Sequence, residues 1–232
     1  MTFSGTSRKP FDAVLCDLDN VIRFYDTAPL SALERAAGLA EGTTARVAYS
    51  PEIDLPLLLG RITEEEWVAR IASALSDRVP YRQARELGRA LADAPFRADE
   101  EVVSLLRRAR AHVPLVLVTN ATLGLERDLE SMGLTDLADH VVSSARLGVA
   151  KPDAAIYETA AERAGAAAHR CLFVDDREEN AAAAVALGMT GVHYREPADL
   201  RCALSVLPGS GLRGPAHGAV AATAPESGGV ER

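Results

Sequence analysis

The sequence predicts an α/β fold: a Rossmann-like parallel sheet with helices on both faces, carrying a small α-helical cap domain. Three observations predict it. Short apolar runs at 13–16, 113–118, 140–142, 171–174 and, more weakly, 190–194 lack polar–apolar alternation, the pattern of strands buried on both faces. Helical segments lie between the later runs, which implies β-α-β units and a parallel sheet. Residues 24–96 break that rhythm with helix signals and no convincing strand, over a span well beyond ordinary loop length.

Taken in chain order, residues 1–9 carry no apolar run and are expected to be a flexible N-terminus. The first strand, 13–16, runs straight into Asp17 and Asp19. Helical patterns follow at 31–40, 63–75 and 82–91, and Thr63 with Glu66 three residues on forms a capping-box signal. Trp67 reads as cap core ahead of a substrate platform. The helix at 100–111 has apolar residues at 102, 103, 105, 106 and 109, the spacing of one buried face. Alanine-rich helices at 153–164 and 178–187 are each followed by a glycine, Gly165 and Gly188, placed to end them in a left-handed turn. From 208 onward Gly, Ala and Pro dominate with few large apolar residues, so 208–232 is expected to be a disordered tail. This divides the chain into a core domain (10–23 and 97–207) and a helical cap (24–96).

With 232 residues, 48% of them hydrophobic, the chain can bury a core without disulfides or structural metals. A net charge of −8 argues against nucleic acid and anionic membrane as partners, so an anionic substrate has to be drawn by local positive charge. No apolar stretch approaches the ~18 residues of a membrane span, and no apolar leader precedes Asp17. The cysteines, Cys16, Cys171 and Cys202, are odd in number and lack C-x-x-C spacing. A cytoplasmic protein with reduced thiols is expected, as monomer or homodimer.

In an open parallel sheet, sites form beyond the carboxyl ends of the strands. There the sequence places Asp17 and Asp19, then Thr119 and Asn120, then Asp175 and Asp176, with Lys151 after the third strand. Each feature alone has a plainer reading. Thr119-Asn120 and Asp175-Asp176 are good helix caps, and Lys151 precedes a proline suited to a helix start. Arg23, Tyr25 and Arg61 read as surface residues ahead of substrate contacts. Convergence on one sheet edge changes the balance. Four carboxylates brought together repel unless a hard cation neutralises them, and Mg²⁺ takes carboxylates, water and phosphate oxygens. One acid can then attack phosphorus while its neighbour two residues on carries a proton.

The ordered set D-L-D-N-V-I, T-N, K-P and F-V-D-D-R-E-E-N resembles the four motifs of the haloacid dehalogenase superfamily, and the insertion after the first strand resembles its C1 cap. The cap stretch I-D-L-P-L-L-L-G-R-I-T-E-E-E-W and the D-D-x-x-x-N spacing are similar to the subgroup with glucose-1-phosphatases and the phosphatase domain of soluble epoxide hydrolases. The resemblance covers about residues 10 to 205. It implies Asp17 as nucleophile forming an aspartyl-phosphate, and Asp19 as general acid/base whose backbone carbonyl also touches Mg²⁺. It implies Thr119, Asn120 and Lys151 as phosphate-binding, Asp17, Asp19 and Asp176 as the metal set, and Asp175 with Asn180 as support. Asn20 stands where many relatives have glycine, and asparagine tolerates the left-handed turn. Asp19 favours phosphate over carbon–halogen substrates, because a halide leaves without a proton. The expected function is Mg²⁺-dependent hydrolysis of a small soluble phosphomonoester. The alternatives are a phosphomutase, a 2-haloacid dehalogenase-type hydrolase and an idle binding domain.

Overall fold

Successive residues of a strand face opposite sides, and here both sides are covered. The structure, a computed structural model, describes residues 10–207, so the expectations for 1–9 and 208–232 lie outside the described residues. Strand β1 (Ala13–Cys16) leads to β2 (Arg23–Tyr25) and then to helices α1 (Ala28–Ala36), α2 (Thr43–Ala48), α3 (Pro51–Leu58), α4 (Glu64–Leu75) and α5 (Tyr81–Ala92). The chain continues through β3 (Phe96–Ala98), α6 (Glu100–Arg110), β4 (Leu115–Thr119), α7 (Leu125–Ser131), β5 (His140–Ser143), α8 (Ser144–Leu147) and α9 (Ala154–Arg163). It ends with β6 (Cys171–Asp175), α10 (Glu178–Ala186), β7 (Thr190–His193) and α11 (Pro197–Leu204).

The main sheet has the order β5-β4-β1-β6-β7, every pairing parallel. Val14, Cys16, Leu115, Leu117, Leu172 and Val174 turn to one face, where they meet α6, α7 and α11 through Leu105, Leu106, Leu125 and Leu200. Ala13, Leu15, Val116, Val118 and Phe173 turn to the other, against Ile156 and Tyr157 of α9 and Ala184 of α10. The missing alternation is thus two apolar faces superimposed on one strand. Each large side chain so buried contributes about 1.5–3 kcal/mol relative to exposure. The weak signal of β7 has a steric cause. A Cβ on Gly191 would lie 2.7 Å from the Ala181 carbonyl oxygen, so only glycine lets α10 pack this closely.

The insertion has its own apolar cluster, including Leu30, Leu57, Trp67, Ile71, Leu75, Leu87 and Leu91, with Trp67 buried in it. It is richer than its sequence pattern. Helices α2 and α3 were not expected, the latter containing Pro56. The expectation of no strand is corrected at both ends: β2 and β3 form an antiparallel ribbon, with Arg23 opposite Ala98 and Tyr25 opposite Phe96. Helix α4 begins at the expected capping box. The Thr63 hydroxyl accepts from the Glu66 N–H at 3.2 Å, and Glu66 Oε2 accepts from the Thr63 N–H at 2.7 Å. Thr63→Ala removes this cap and is expected to lower the melting temperature by ~2–4 °C without changing activity, read by calorimetry.

A second tie joins the insertion to the sheet. Ser144 Oγ donates to the Leu58 carbonyl at 2.6 Å and accepts from the Ala121 N–H at 3.1 Å. Gly60, at φ +66°, lies so close that a Cβ would sit 2.6 Å from the Ala145 carbonyl oxygen. Among the described residues no helix is long and apolar enough to cross a membrane, Cys16 and Cys171 are buried free thiols, and Cys202 is exposed.

Candidate active site

Strands β1 and β6 are neighbours whose connections leave in opposite directions, β1 toward β4 and β6 toward β7. A crevice opens beyond the carboxyl ends of such a pair. Asp17 follows β1 and is tied to β6 by its N–H, which donates to the Val174 carbonyl at 2.9 Å. Its carboxylate accepts from the Leu18 N–H at 2.7 Å and faces Lys151 Nζ at 2.7 Å. The ammonium also lies 2.7 Å from Asp175 Oδ2 and 5.8 Å from the Phe173 ring centroid. Asp17 is 5% exposed, Lys151 6% and Asp175 0%.

Lys151 is aimed by its backbone. Asn120 Nδ2 donates to the Lys151 carbonyl at 3.0 Å, and Asn120 Oδ1 accepts from the Lys151 N–H at 2.8 Å. The Asn120 side chain is therefore committed to Lys151, not to the crevice. Thr119, the last residue of β4, is 1% exposed and its Oγ1 is buried without a hydrogen-bond partner. A buried orphan hydroxyl costs ~1–3 kcal/mol, which an arriving acceptor such as a phosphate oxygen relieves.

The adjacent acids of F-V-D-D are not equivalent. Asp175 is saturated: Oδ1 accepts from Asn180 Nδ2 and the Arg177 N–H, both at 2.9 Å, and Oδ2 takes the lysine. Asn180 is itself held, since Tyr157 Oη donates to its carbonyl at 3.1 Å. Asp176 is half-buried, and its Oδ2 accepts from Asn20 Nδ2 at 3.0 Å. Asn20, at φ +58°, is the one non-glycine with positive φ among the described residues. It keeps the turn a glycine would keep and adds a bond that a glycine could not.

Asp17, Asp175 and Asp176 each present an oxygen within 4.8 Å of the others. Against one ammonium, three carboxylates leave two negative charges, which matches a divalent cation with oxygen ligands. Burial, with the charge of Asp175 behind it, pushes the Asp17 carboxyl up to about 7 against the pull of Lys151. Burial also raises Asp176. Lys151 is held above its ordinary value because Asp17 and Asp175 outweigh its desolvation. Burial raises the Cys16 thiol well above its normal range and so keeps it an inert core group.

Asp19 is placed differently. Its carboxylate lies outside the acid cluster and is gripped by Arg23, with Nε to Oδ1 at 2.6 Å and Nη2 to Oδ2 at 3.0 Å. Arg23, expected at the surface, is 3% exposed and is corrected to a buried position. Tyr25 and Arg61 are exposed. The i, i+4 spacing of Asp19 and Arg23 gave no signal for this pair, since residues 19–23 form a turn and a strand start where the helical spacing rule does not apply. The Asn20–Asp176 bond, across 156 residues, had none.

A family model described as haloacid dehalogenase-like hydrolase matches residues 11–188. The chain is 36% identical over 103 residues to the sesquiterpene phosphatase astK of Aspergillus oryzae, a match covering 44% of this chain and 53% of that one. The chain thus spans about half the length of this curated relative. Among solved structures it resembles enzyme bt-2542 of Bacteroides thetaiotaomicron, in complex with magnesium and inorganic phosphate, at TM-score 0.60 and 20% identity. That likeness covers 78% of this chain and 92% of the other. It also resembles the L-2-haloacid dehalogenase RSc1362, at TM-score 0.60 and 23% identity, over 78% and 84% of the two chains. Both structural likenesses speak to the fold.

Proposed function

Because the chain belongs to the haloacid dehalogenase-like hydrolases, we propose that it is a Mg²⁺-dependent phosphomonoesterase acting on a small phosphorylated metabolite through an aspartyl-phosphate. The observation that carries this reading is the buried Lys151 ammonium, 2.7 Å from both Asp17 and Asp175, at the sheet edge where β4 ends in Thr119 with its hydroxyl unpartnered. A fixed ammonium against a buried carboxylate at the sheet edge is suited to an anion that the carboxylate attacks.

Asp17 and Asp176, with the backbone carbonyl of Asp19, would hold the Mg²⁺, and Asp175 and Asn180 would fix the loop behind them. When bound, the cation supplies positive charge that offsets the clustered acids and the phosphoryl oxygens. Lys151 would neutralise charge on Asp17 and the phosphoryl oxygens, and Thr119 Oγ would donate to a phosphoryl oxygen. The Asn120 amide holds the Lys151 backbone and so sets where the ammonium meets the phosphate. An Asp17 oxygen forms the bond to phosphorus as the ester oxygen departs with a proton from Asp19. Water then attacks the acyl-phosphate and yields its proton to Asp19, which restores both acids and releases inorganic phosphate.

Asp19 favours this over carbon–halogen hydrolysis, since a halide needs no proton. The deciding experiment measures phosphate release from sugar phosphates, nucleotides, prenyl phosphates and simple aryl phosphates, with Mg²⁺ and with EDTA. Mg²⁺-dependent release is expected. Halide release from a 2-haloacid in EDTA would favour the dehalogenase reading, and isomerised sugar phosphate without free phosphate the mutase. No phosphate release from any of these substrates would leave a binding domain.

A further inference from the structure

We propose that Arg23 is the positioning residue for Asp19, holding the proton-transferring carboxylate in place by a buried guanidinium fork. This rests on the phosphomonoesterase reading and deepens it, since it names what fixes the acid/base of that reaction. Asp19 lies beyond the end of β1 in a turn, with its side chain 30% exposed. A carboxylate in such a turn has rotamer freedom unless something removes it. Arg23 removes it with two parallel bonds, Nε to Oδ1 at 2.6 Å and Nη2 to Oδ2 at 3.0 Å. Parallel N–H bonds fix the plane of a carboxylate as well as its distance, which a single ammonium cannot do.

The guanidinium is itself fixed from three further directions. Nη1 donates to Asp128 Oδ2 of α7 at 2.7 Å. Its central carbon lies 5.1 Å from the Tyr25 ring centroid and 5.4 Å from that of Phe96, and the two rings meet edge to face at 5.6 Å. The backbone holds the same register: the Arg23 N–H donates to the Leu18 carbonyl, and the Asn20 N–H to the Arg23 carbonyl, both at 2.8 Å. Arg23 also opens β2, paired with Ala98 of β3. The position of the Asp19 carboxylate is therefore set jointly by α7 and by the ribbon through which the chain enters and leaves the helical insertion.

A merely structural ion pair would share the burial and the bonds but would not affect proton transfer selectively. Departure of an alkoxide needs a proton and departure of p-nitrophenolate does not, so damage to Asp19 placement must show in the leaving-group dependence of kcat/KM, which reports the first bond cleavage. The test compares n-butyl phosphate with p-nitrophenyl phosphate in wild type, Arg23→Lys, Asp19→Asn and the double variant. Arg23→Lys keeps the charge and loses the fork. It is expected to lower kcat/KM for the alkyl ester by ~10–100-fold and for the aryl ester by no more than about threefold. In the Asp19→Asn background the same change is expected to cost nothing further within about twofold. Asp128→Asn, which leaves Arg23 and Asp19 in place, is expected to act in the same direction by a smaller factor. It serves as the readout if Arg23→Lys fails to fold. Equal losses on both esters, or a full additional loss in the Asp19→Asn background, would overturn the proposal while leaving the phosphatase reading intact. A wild type that releases phosphate from neither ester, nor from any sugar phosphate, nucleotide or prenyl phosphate, would overturn both.

Discussion

Asp17→Asn is expected to cut phosphate release by at least ~10⁴-fold while the protein stays folded. An amide cannot displace an alkoxide at phosphorus to give an acyl-phosphate, so the loss is chemical. The fold survives because the replacement keeps the shape and its Oδ1 can still accept the Leu18 N–H, which Asp17 does at 2.7 Å. The buried Lys151 ammonium keeps Asp175 at 2.7 Å as its second partner. Burial already drives the Asp17 carboxyl up to about 7, so a neutral side chain there costs the fold little. The measurement is steady-state phosphate release beside a melting curve, with acid-quenched radiolabelled substrate to look for phospho-protein. Activity near that of the wild type in a folded Asp17→Asn protein would end the covalent mechanism.

The second large effect separates Asp176 from Asp175. Alternation along the strand end predicts that the two point differently, and their partners differ accordingly. Asp176 is bonded through Oδ2 to the exposed Asn20. Its loss should change stability by no more than ~0.5 kcal/mol while removing a carboxylate the cation requires. Asp176→Ala is therefore expected to melt like the wild type and to show no measurable Mg²⁺-dependent turnover at any practical metal concentration. Asp175→Ala is expected to fail in the opposite sense. It strips Lys151 of one partner and orphans Asn180 Nδ2 and the Arg177 N–H, a loss of ~3–5 kcal/mol visible directly in the melting curve. The milder Asp175→Asn should retain fold and regain part of its rate as Mg²⁺ is raised, since it alters the support and not the ligand. Mg²⁺ titrations of rate and thermal melts on all three variants decide the order. An Asp176→Ala protein rescued by Mg²⁺, with an unrescued Asp175→Asn, would mean the two roles are exchanged.

Short-range periodicity and local chemistry account for the features readable along the chain. Four of the five sheet strands are legible because superimposed apolar faces leave short apolar runs, β7 only weakly because Gly191 interrupts it, and α4, α6, α9 and α10 because their spacing and end signals are local. Asp17, Asp175, Asp176 and Lys151 are legible because a parallel sheet delivers every strand's carboxyl end to one edge, so their order along the chain already implies their meeting. The remaining features arise from packing between distant elements. The ribbon of β2 and β3 has three residues a side and pairs across the whole insertion, too short for a pattern and too distant for a turn signal. Helices α2 and α3 are short, and Pro56 breaks the expected rule inside one of them. Arg23 reads as a surface cation until Asp128, Tyr25 and Phe96, from separate elements, close around it. The two bonds from the Asn120 amide to the Lys151 backbone join residues that sequence order alone does not pair. A residue's type and neighbours state what it can bond to; which partner it takes depends on distances set by packing between elements far apart in the chain.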